Sequence, residues 1–369
     1  MHKIINFFQK EPVLCIAAIA AAVTCFFVPP SGAYLAYIDF KVLACLFALM
    51  LTVAGFGSLD VFRFAAAKLL KKAKTLRFVG AILIFICFCL SMFVTNDVAL
   101  LTFVPFTLLI LSMSGHTRHA AIIVVLETVA ANLGSALTPF GNPQNLYLYS
   151  YFNMDASTFF GTTVPFTLIS AALIAAALFL IPKAALTDGG ITETAITSYP
   201  KLCLYAVLFI LALFGVFGAI HYVLMVAVVA IAFLLVDRKL FMQVDWLLLV
   251  TFVCFFIFVG NLGAIPAVAD ALSALTMGRE LLVGALVSQV ISNVPAAVLL
   301  SGFTENARAL LLGVNAGGCG TIIASLASLI SYKIFSRTLP SEKNRYMLVF
   351  TWVNIVFFVS ITSISHIIL

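Results

Sequence analysis

Apolar stretches of about twenty residues, each enough to cross about 30 Å of hydrocarbon, follow one another along nearly the whole chain. They run near 13–28, 40–57, 158–181, 201–218, 222–236, 245–260 and 346–368 without interruption. Two further stretches, 119–150 and 309–332, are apolar at both ends but polar and glycine-rich inside. The first contains Asn132-Leu133-Gly134-Ser135-Ala136-Leu137-Thr138-Pro139, and the second contains Asn315-Ala316-Gly317-Gly318-Cys319-Gly320-Thr321. Backbone that leaves the helix at membrane depth is tolerated only where it is buried in protein or lines a cavity. Both stretches are therefore expected to be discontinuous helices.

Each is preceded by an apolar region, about 78–112 and about 281–304, centred on a short polar break: Thr95-Asn96-Asp97 and Ser292-Asn293-Val294. In the second region, 13 residues separate Glu280 from Asn293 and 12 separate Asn293 from Glu305. At about 1.5 Å per residue each arm reaches about 20 Å, too short to cross. The pattern predicts a re-entrant helical hairpin with its tip inside the membrane. Pro295 suits the first turn of the helix that restarts after Asn293. The first region has 19 residues from Arg77 to Asn96, enough for two ordinary spans, and is assigned as a hairpin by analogy.

The two halves correspond in order and spacing. Asn132 and Asn315, Gly134 and Gly317, and Thr138 and Thr321 all lie 183 positions apart. The hairpin asparagines lie 197 apart, so the second half lacks 14 residues between hairpin and broken helix. The expected fold is an all-α polytopic membrane protein with two inverted-topology repeats, each holding a re-entrant hairpin and a discontinuous helix. An N-terminal span plus the first repeat occupies 1–181. A polar linker, 182–200, carries Asp188, Gly189, Gly190 and Glu193, and the second repeat occupies 201–369.

Composition excludes a soluble domain: the chain is 64% hydrophobic and 9% charged, with mean hydropathy +1.20. The net charge of +6 is not a nucleic-acid patch, because its placement follows the spans. Arg63, Lys68, Lys71, Lys72, Lys74 and Arg77 precede the first hairpin, and Lys333, Arg337, Lys343 and Arg345 follow the second broken helix. In this topology 17 of the 20 Lys and Arg are cytoplasmic, leaving Lys41, Arg279 and Arg308 outside. The positive-inside bias predicts a multi-pass cell (inner) membrane protein with a cytoplasmic N-terminus and an external C-terminus. The two hairpins then enter from opposite sides, the arrangement used for alternating access.

The eight cysteines all fall in apolar segments without a CxxC, which fits packing. His116-Thr117-Arg118-His119 lacks the glutamate of HExxH, and there is no Walker A pattern or serine nucleophile motif. No enzymatic activity and no bound cofactor are expected.

Asp97 and Glu127 are the two acids within the spans, which hold no Lys or Arg. An intramembrane carboxylate is a functional candidate. Both are candidate coupling carboxylates, set against simpler roles: Asp97 as a helix cap, Glu127 as a partner for a neighbouring helix. Half-helix N-termini favour an anion, whereas exposed carbonyls and carboxylates favour Na⁺ or H⁺. The candidate substrate- and ion-binding residues are Thr95, Asn96, Asp97, Asn132, Gly134, Thr138, Pro139, Asn142, Ser292, Asn293, Val294, Asn315, Gly317 and Thr321. Asn142-Pro143 repeats the capping pattern, asparagine at the N-cap and proline at the first helical position. For Gly313 and Gly317 the competing role is close helix packing.

At these motifs the chain resembles the ion transporter superfamily, which includes the divalent-anion:sodium symporters, the arsenite-pump membrane proteins and a set of sodium/proton antiporters. The resemblance covers nearly the whole chain. In the dicarboxylate members both tips read Ser-Asn-Thr, and each tip forms a sodium site with its broken helix. Both asparagines stand here, as Asn96 and Asn293, while Asp97 and Val294 replace the final threonines. Asn96-Asp97 is similar to the Asn-Asp tip of the arsenite-pump proteins, regarded as proton-driven exporters, and Asn293-Val294-Pro295 to their Asn-Leu-Pro. The run from Ala131-Asn132-Leu133-Gly134 to Gly141-Asn142-Pro143-Gln144-Asn145 is like that of anion permeases in the same grouping. The resemblance implies Na⁺ near Asn96 and Asn293, and a homodimer. The expected function is secondary transport of a small anion or oxyanion coupled to Na⁺ or H⁺. The alternatives are a proton-driven arsenite or antimonite exporter and a Na⁺/H⁺ antiporter.

Overall fold

A computed structural model describes residues 11–70, 73–185 and 195–369. Lys71 and Lys72 of the basic run, and Asp188, Gly189, Gly190 and Glu193 of the linker, lie outside them. Among the described residues the protein is helical, with no strand and one isolated bridge between Thr75 and Ala185. Among the described residues, eight helices are long and apolar enough to cross a membrane.

The chain opens with α1 (Pro12–Thr24) and the single turn α2 (Tyr34–Tyr37). The first apolar stretch thus ends as a helix at Thr24, short of Val28, where Pro29-Pro30 excludes helix ahead of it. Next come α3 (Phe40–Ser58) and an amphipathic helix α4 (Val61–Leu70), absent from the predicted spans. The first hairpin is α5 (Leu76–Val94) and α6 (Asn96–Met113), and the first broken helix is α7 (Ala120–Gly134) and α8 (Pro143–Tyr151). Helix α9 (Ala156–Ala177) completes this half, and α10 (Tyr199–Val216) and α11 (Tyr222–Asp237) follow it.

The order then recurs. A long helix α12 (Trp246–Gly263) is followed by an amphipathic one, α13 (Pro266–Thr276), and a hairpin of α14 (Glu280–Ile291) and α15 (Asn293–Ser301). The second broken helix is α16 (Ala307–Ala316) and α17 (Leu326–Thr338), and α18 (Lys343–Ile368) closes the series. Helices α3 and α12 begin in the same way: Asp39 and Asp245, 206 positions apart, each accept a hydrogen bond from the amide three residues on. The recurrence therefore reaches upstream of the hairpins. The flanking helices are exchanged between halves, α1 packing against α12 while α10 and α11 pack against α3.

The hairpin tips share an unusual backbone. Thr95 has φ 71° and ψ 149°, and Ser292 has φ 77° and ψ 153°. Such positive φ is strained for a side-chain-bearing residue and persists only where the surroundings fix it. The same backbone recurs at both tips, although each arm of the first region, Leu76–Val94 and Asn96–Met113, is by length and composition able to cross a membrane. The arms still differ: 19 and 18 residues in the first, 12 and 9 in the second.

Three contacts between hairpin and broken helix are also duplicated. Thr138 Oγ1 donates to the Met92 carbonyl, and its counterpart Thr321 Oγ1 donates to the Gln289 carbonyl at 2.9 Å. Gly134 lies against Phe88 and Ser91, and Gly317 against Ala285 and Ser288, the same three positions at offsets of 183 for the glycine and 197 for the arm. A Cβ on Gly134 would stand 2.2 Å from the Phe88 carbonyl oxygen. One on Gly317 would stand 2.6 Å from Ser288 Oγ. Both glycines, expected to bind substrate or ion, instead let a hairpin arm approach its broken helix; Gly313 does the same against the Leu281 backbone.

The breaks differ from the expected ones in extent. Asn132 and Asn315 stand inside the last turns of α7 and α16, and the unwound segments run to Asn142 and Ser325. The asparagines keep helical backbone and act through their side chains. At the first break, Asn145 Nδ2 donates to the carbonyls of Ser135, Ala136 and Thr138. At the second, Gln289 Nε2 donates to the carbonyls of Gly317 and Cys319, and its Oε1 accepts from the Thr321 amide.

Replacing Gly134 with alanine forces the hairpin off α7 and is expected to destabilise the purified protein by about 1–3 kcal/mol. Gly161→Ala, in α9 with nothing within 4 Å of the new methyl, is the control. Thermal unfolding in detergent decides it: equal midpoints for the two variants contradict the close approach. Asn145→Leu strips the first break of its donor and is expected to cost about 1–3 kcal/mol per buried carbonyl left alone, read in the same assay.

Candidate functional site

The two broken helices cross, and their breaks are bonded to each other. Asn142, the N-cap of α8, donates from Nδ2 to Asn315 Oδ1 at 3.0 Å. Ser325, at the N-cap position of α17, donates from Oγ to Asn132 Oδ1 at 2.9 Å. With Asn132 matched to Asn315 and Asn142 to Ser325, each 183 apart, these two bonds are one bond seen from either side of a pseudo-two-fold axis. Asn132 Nδ2 also donates to the Gly318 carbonyl (3.1 Å), and Asn315 Nδ2 to Asn145 Oδ1 (2.7 Å). Asn132, Asn142, Asn145 and Asn315 are all buried, a polar cluster viable in an apolar interior because its members bond one another.

The hairpin tips dock on this crossing. Asn96 Nδ2 donates to Asn132 Oδ1 at 3.0 Å, and the Asn293 amide donates to the Ala324 carbonyl at 2.9 Å. The helices that restart here, α6, α15, α8 and α17, thereby bring four N-termini to one place. A small cavity of about 70 Å³ is lined by Asn96 and Asp97, Pro143 and Gln144, Ser292 through Pro295, and Ser325 and Leu326. It adjoins a larger one of about 540 Å³ through the shared residues Asp97, Pro143, Asp245, Leu248 and Leu326. The larger cavity continues past Thr95 to Asp60 and Arg63 of the segment before the first hairpin.

The small cavity is lined also by Glu11 and Lys333, and the lining of the large one is acidic. Asp97, Asp245 and Asp60 face the large cavity, and its cationic side chain, Arg63, is 3.7 Å from Asp60. Asp97 is not engaged as a cap: its amide is taken by Asn96 Oδ1, and its own Oδ1 is buried with no hydrogen-bond partner.

The expected residues thus divide into three groups. Thr95, Asn96, Asp97, Ser292, Asn293 and Val294 line the cavities, while Asn132, Asn142 and Asn315 form the cluster beneath them. Gly134, Thr138, Gly317 and Thr321 hold hairpin to broken helix, and Pro139 is buried in the first break. Glu127 lies elsewhere, its Oε1 accepting from Thr107 Oγ1. Asp245, Gln144, Asn145, Gln289 and Ser325 were not anticipated. For Ser325 the signal was present, since Asn142 moved by the 183-residue offset falls on it.

The pseudo-symmetry is broken beside the crossing. Met50 and Ile330 line the open cavity. Their counterparts, Phe256 and Tyr147, are packed together with ring centroids 5.6 Å apart, and Tyr147 Oη lies 2.7 Å from Ser301 Oγ. One face of the crossing is open and the other plugged.

Comparison with known proteins agrees with this architecture. The chain is 34% identical over 300 residues to an uncharacterized transporter of Methanocaldococcus jannaschii, covering 80% of this chain and 81% of that one. It is 30% identical over 321 residues to the inner membrane protein YbiR of Escherichia coli, covering 84% of each. Its fold matches the crystal structure of the Alcanivorax borkumensis YdaH transporter, described as having an unusual topology, with a TM-score of 0.55 at 14% identity over 91% of this chain and 87% of that one. The model of the CitMHS citrate transporter family matches residues 8–308. With its paired hairpins, crossed broken helices and cavity, this multi-pass membrane protein is a transporter that belongs to the CitMHS family.

Proposed function

We propose that the protein is a secondary transporter that moves a small anion, coupled to Na⁺ or H⁺, by alternating access at the crossing. The convergence of four helix N-termini on one cavity carries this reading. Each brings the positive end of a helix dipole, which favours an anion, and Lys333 also lines that cavity. Asp97, beside the same N-termini with an unpartnered oxygen, takes the coupling cation. The open cavity and the plug of Tyr147 and Phe256 are the two ends of the access path, exchanged when the hairpins move against α3 and α12. Citrate, from the family's name, is one of the anions to be tested.

One observation favours a second reading. The large cavity carries three carboxylates and a single arginine, which suits an uncharged oxyacid such as arsenous acid exported against protons, or a Na⁺/H⁺ exchange with no anion. In either case the cavity beside Arg63 faces the cytoplasm, since the basic residues cluster there. The halves meet in the 182–200 linker, the membrane is the cell (inner) membrane, and the assembly is a homodimer, as in the proteins it resembles.

Proteoliposome uptake of citrate, succinate, phosphate, sulfate, arsenite and Na⁺, with and without Na⁺ and pH gradients, is the test. Gradient-stimulated movement of an anion is the expected result, and no solute-dependent flux with any of them overturns every transport reading. Asp97→Asn preserves volume and folding, and is expected to lower coupled flux at least about tenfold, a barrier change of about 1.4 kcal/mol, and to flatten its ion dependence. Unchanged flux and ion dependence would return Asp97 to a structural role.

Topology is tested separately. A reporter at Lys74 and one between Ala271 and Arg279 should map to the cytoplasmic and external sides, and Leu369 to the external side. The same side for positions 74 and 275 contradicts inversion of the repeats.

A further inference from the structure

Glu127 is fully buried in α7, away from both cavities. One carboxyl oxygen accepts from Thr107 Oγ1 of α6, and the other, Oε2, has no partner. No ion pair reaches it among the described residues. The titratable groups that face it are Cys87 of α5 and Tyr346 of α18, both buried, the latter with its hydroxyl beside Thr128. An ionised carboxylate here is left with one hydrogen bond and no counter-charge, which a buried charge tolerates poorly. A metal cation asks for several oxygen ligands, more than the one hydroxyl beside it. A proton neutralises the group without further ligands.

The surroundings of Glu127 are not uniformly apolar. Ser325, Ser328 and Ser331 recur every third residue at the start of α17, along one face, and this helix packs on α7. Ser325 Oγ bonds Asn132 of α7, and one turn back along α7, Thr128 Oγ1 bonds Ser331 Oγ at 2.8 Å. Between these rungs stands Ser328, buried with no partner for its hydroxyl. Thr128 is next to Glu127 in the chain, and Asn132 is the residue that holds the tip asparagine, Asn96. A seam of hydroxyls thus runs between α7 and α17 from the crossing to Thr128, and the Tyr346 hydroxyl, which faces both Thr128 and Glu127, carries it to the carboxyl.

We propose that Glu127 is a proton-binding site set apart from the cavity and joined to the tip asparagine Asn96 by this hydroxyl seam. The unpartnered Glu127 Oε2 and Ser328 Oγ mark where a proton rests and passes. This inference does not depend on which solute is carried.

Infrared spectroscopy of the full chain in lipid vesicles tests it without a substrate. At neutral pH the wild type is expected to show a carboxylic-acid C=O absorption that Glu127→Gln loses, Asp97→Asn keeps and Glu127→Asp displaces. In D₂O that band shifts as the acid exchanges. The pair Thr128→Val and Ser331→Ala is expected to keep the band but slow its shift at least about tenfold. A Glu127→Gln spectrum identical to wild type overturns the site. Exchange at the wild-type rate in the double variant overturns the seam, whatever the flux assays find.

Discussion

Unwound backbone in the middle of a membrane has no water to bond, and every feature of this protein's centre answers that constraint. Each break leaves carbonyls and amides of about eight residues without a helical ladder. The first is satisfied by Asn145, whose amide spans three carbonyls. The second is satisfied by Gln289, reaching across from the hairpin arm to the glycine-rich segment. Different residues on different helices do the same work, so the duplication is preserved in geometry where it has been lost in sequence.

Symmetry and its violation then divide the labour. The bonds from Asn142 to Asn315 and from Ser325 to Asn132 hold the crossing symmetrically, and the tips repeat the same strained residue at Thr95 and Ser292. Beside that fixed crossing, residues related by the same offsets are packed on one side and open on the other, Tyr147 and Phe256 against Ile330 and Met50. In the proposed alternation between faces, the second conformation exchanges the packed and open sides about the pseudo-two-fold axis while the crossing bonds persist. This is the bistability that a switch between two faces requires.

Much of this was legible in the sequence because hydrocarbon penalises polar residues so strongly. An Asn or Gly inside an apolar run is informative in a membrane protein, and Asn96, Asn132, Asn293 and Asn315 declared themselves for that reason. What the sequence concealed was role. Gly134 and Gly317 look like ligand-approach residues, but close helix packing uses the same small side chain. Asp245 stands at the end of an apolar stretch, where an acid reads as an ordinary cap; only the fold carries it to the cavity floor. The amphipathic helices α4 and α13 escaped because they are too polar to read as spans. Gln289 sits within an apolar arm and was visible, yet its task depends on a segment about thirty residues away.

The reciprocal bonds at the crossing bear on how the chain is made. Asn132 finds Gly318 and Ser325 only after more than 180 further residues have been synthesised. At about 5–20 residues per second that interval lasts roughly ten to forty seconds. Through it the first half has its internal bonds, Asn96 to Asn132 and Asn145 to the break, but Asn132 lacks its partners from the second half. The protein therefore matures by mutual completion of two halves, and the interval between them is the period in which quality control has access to it.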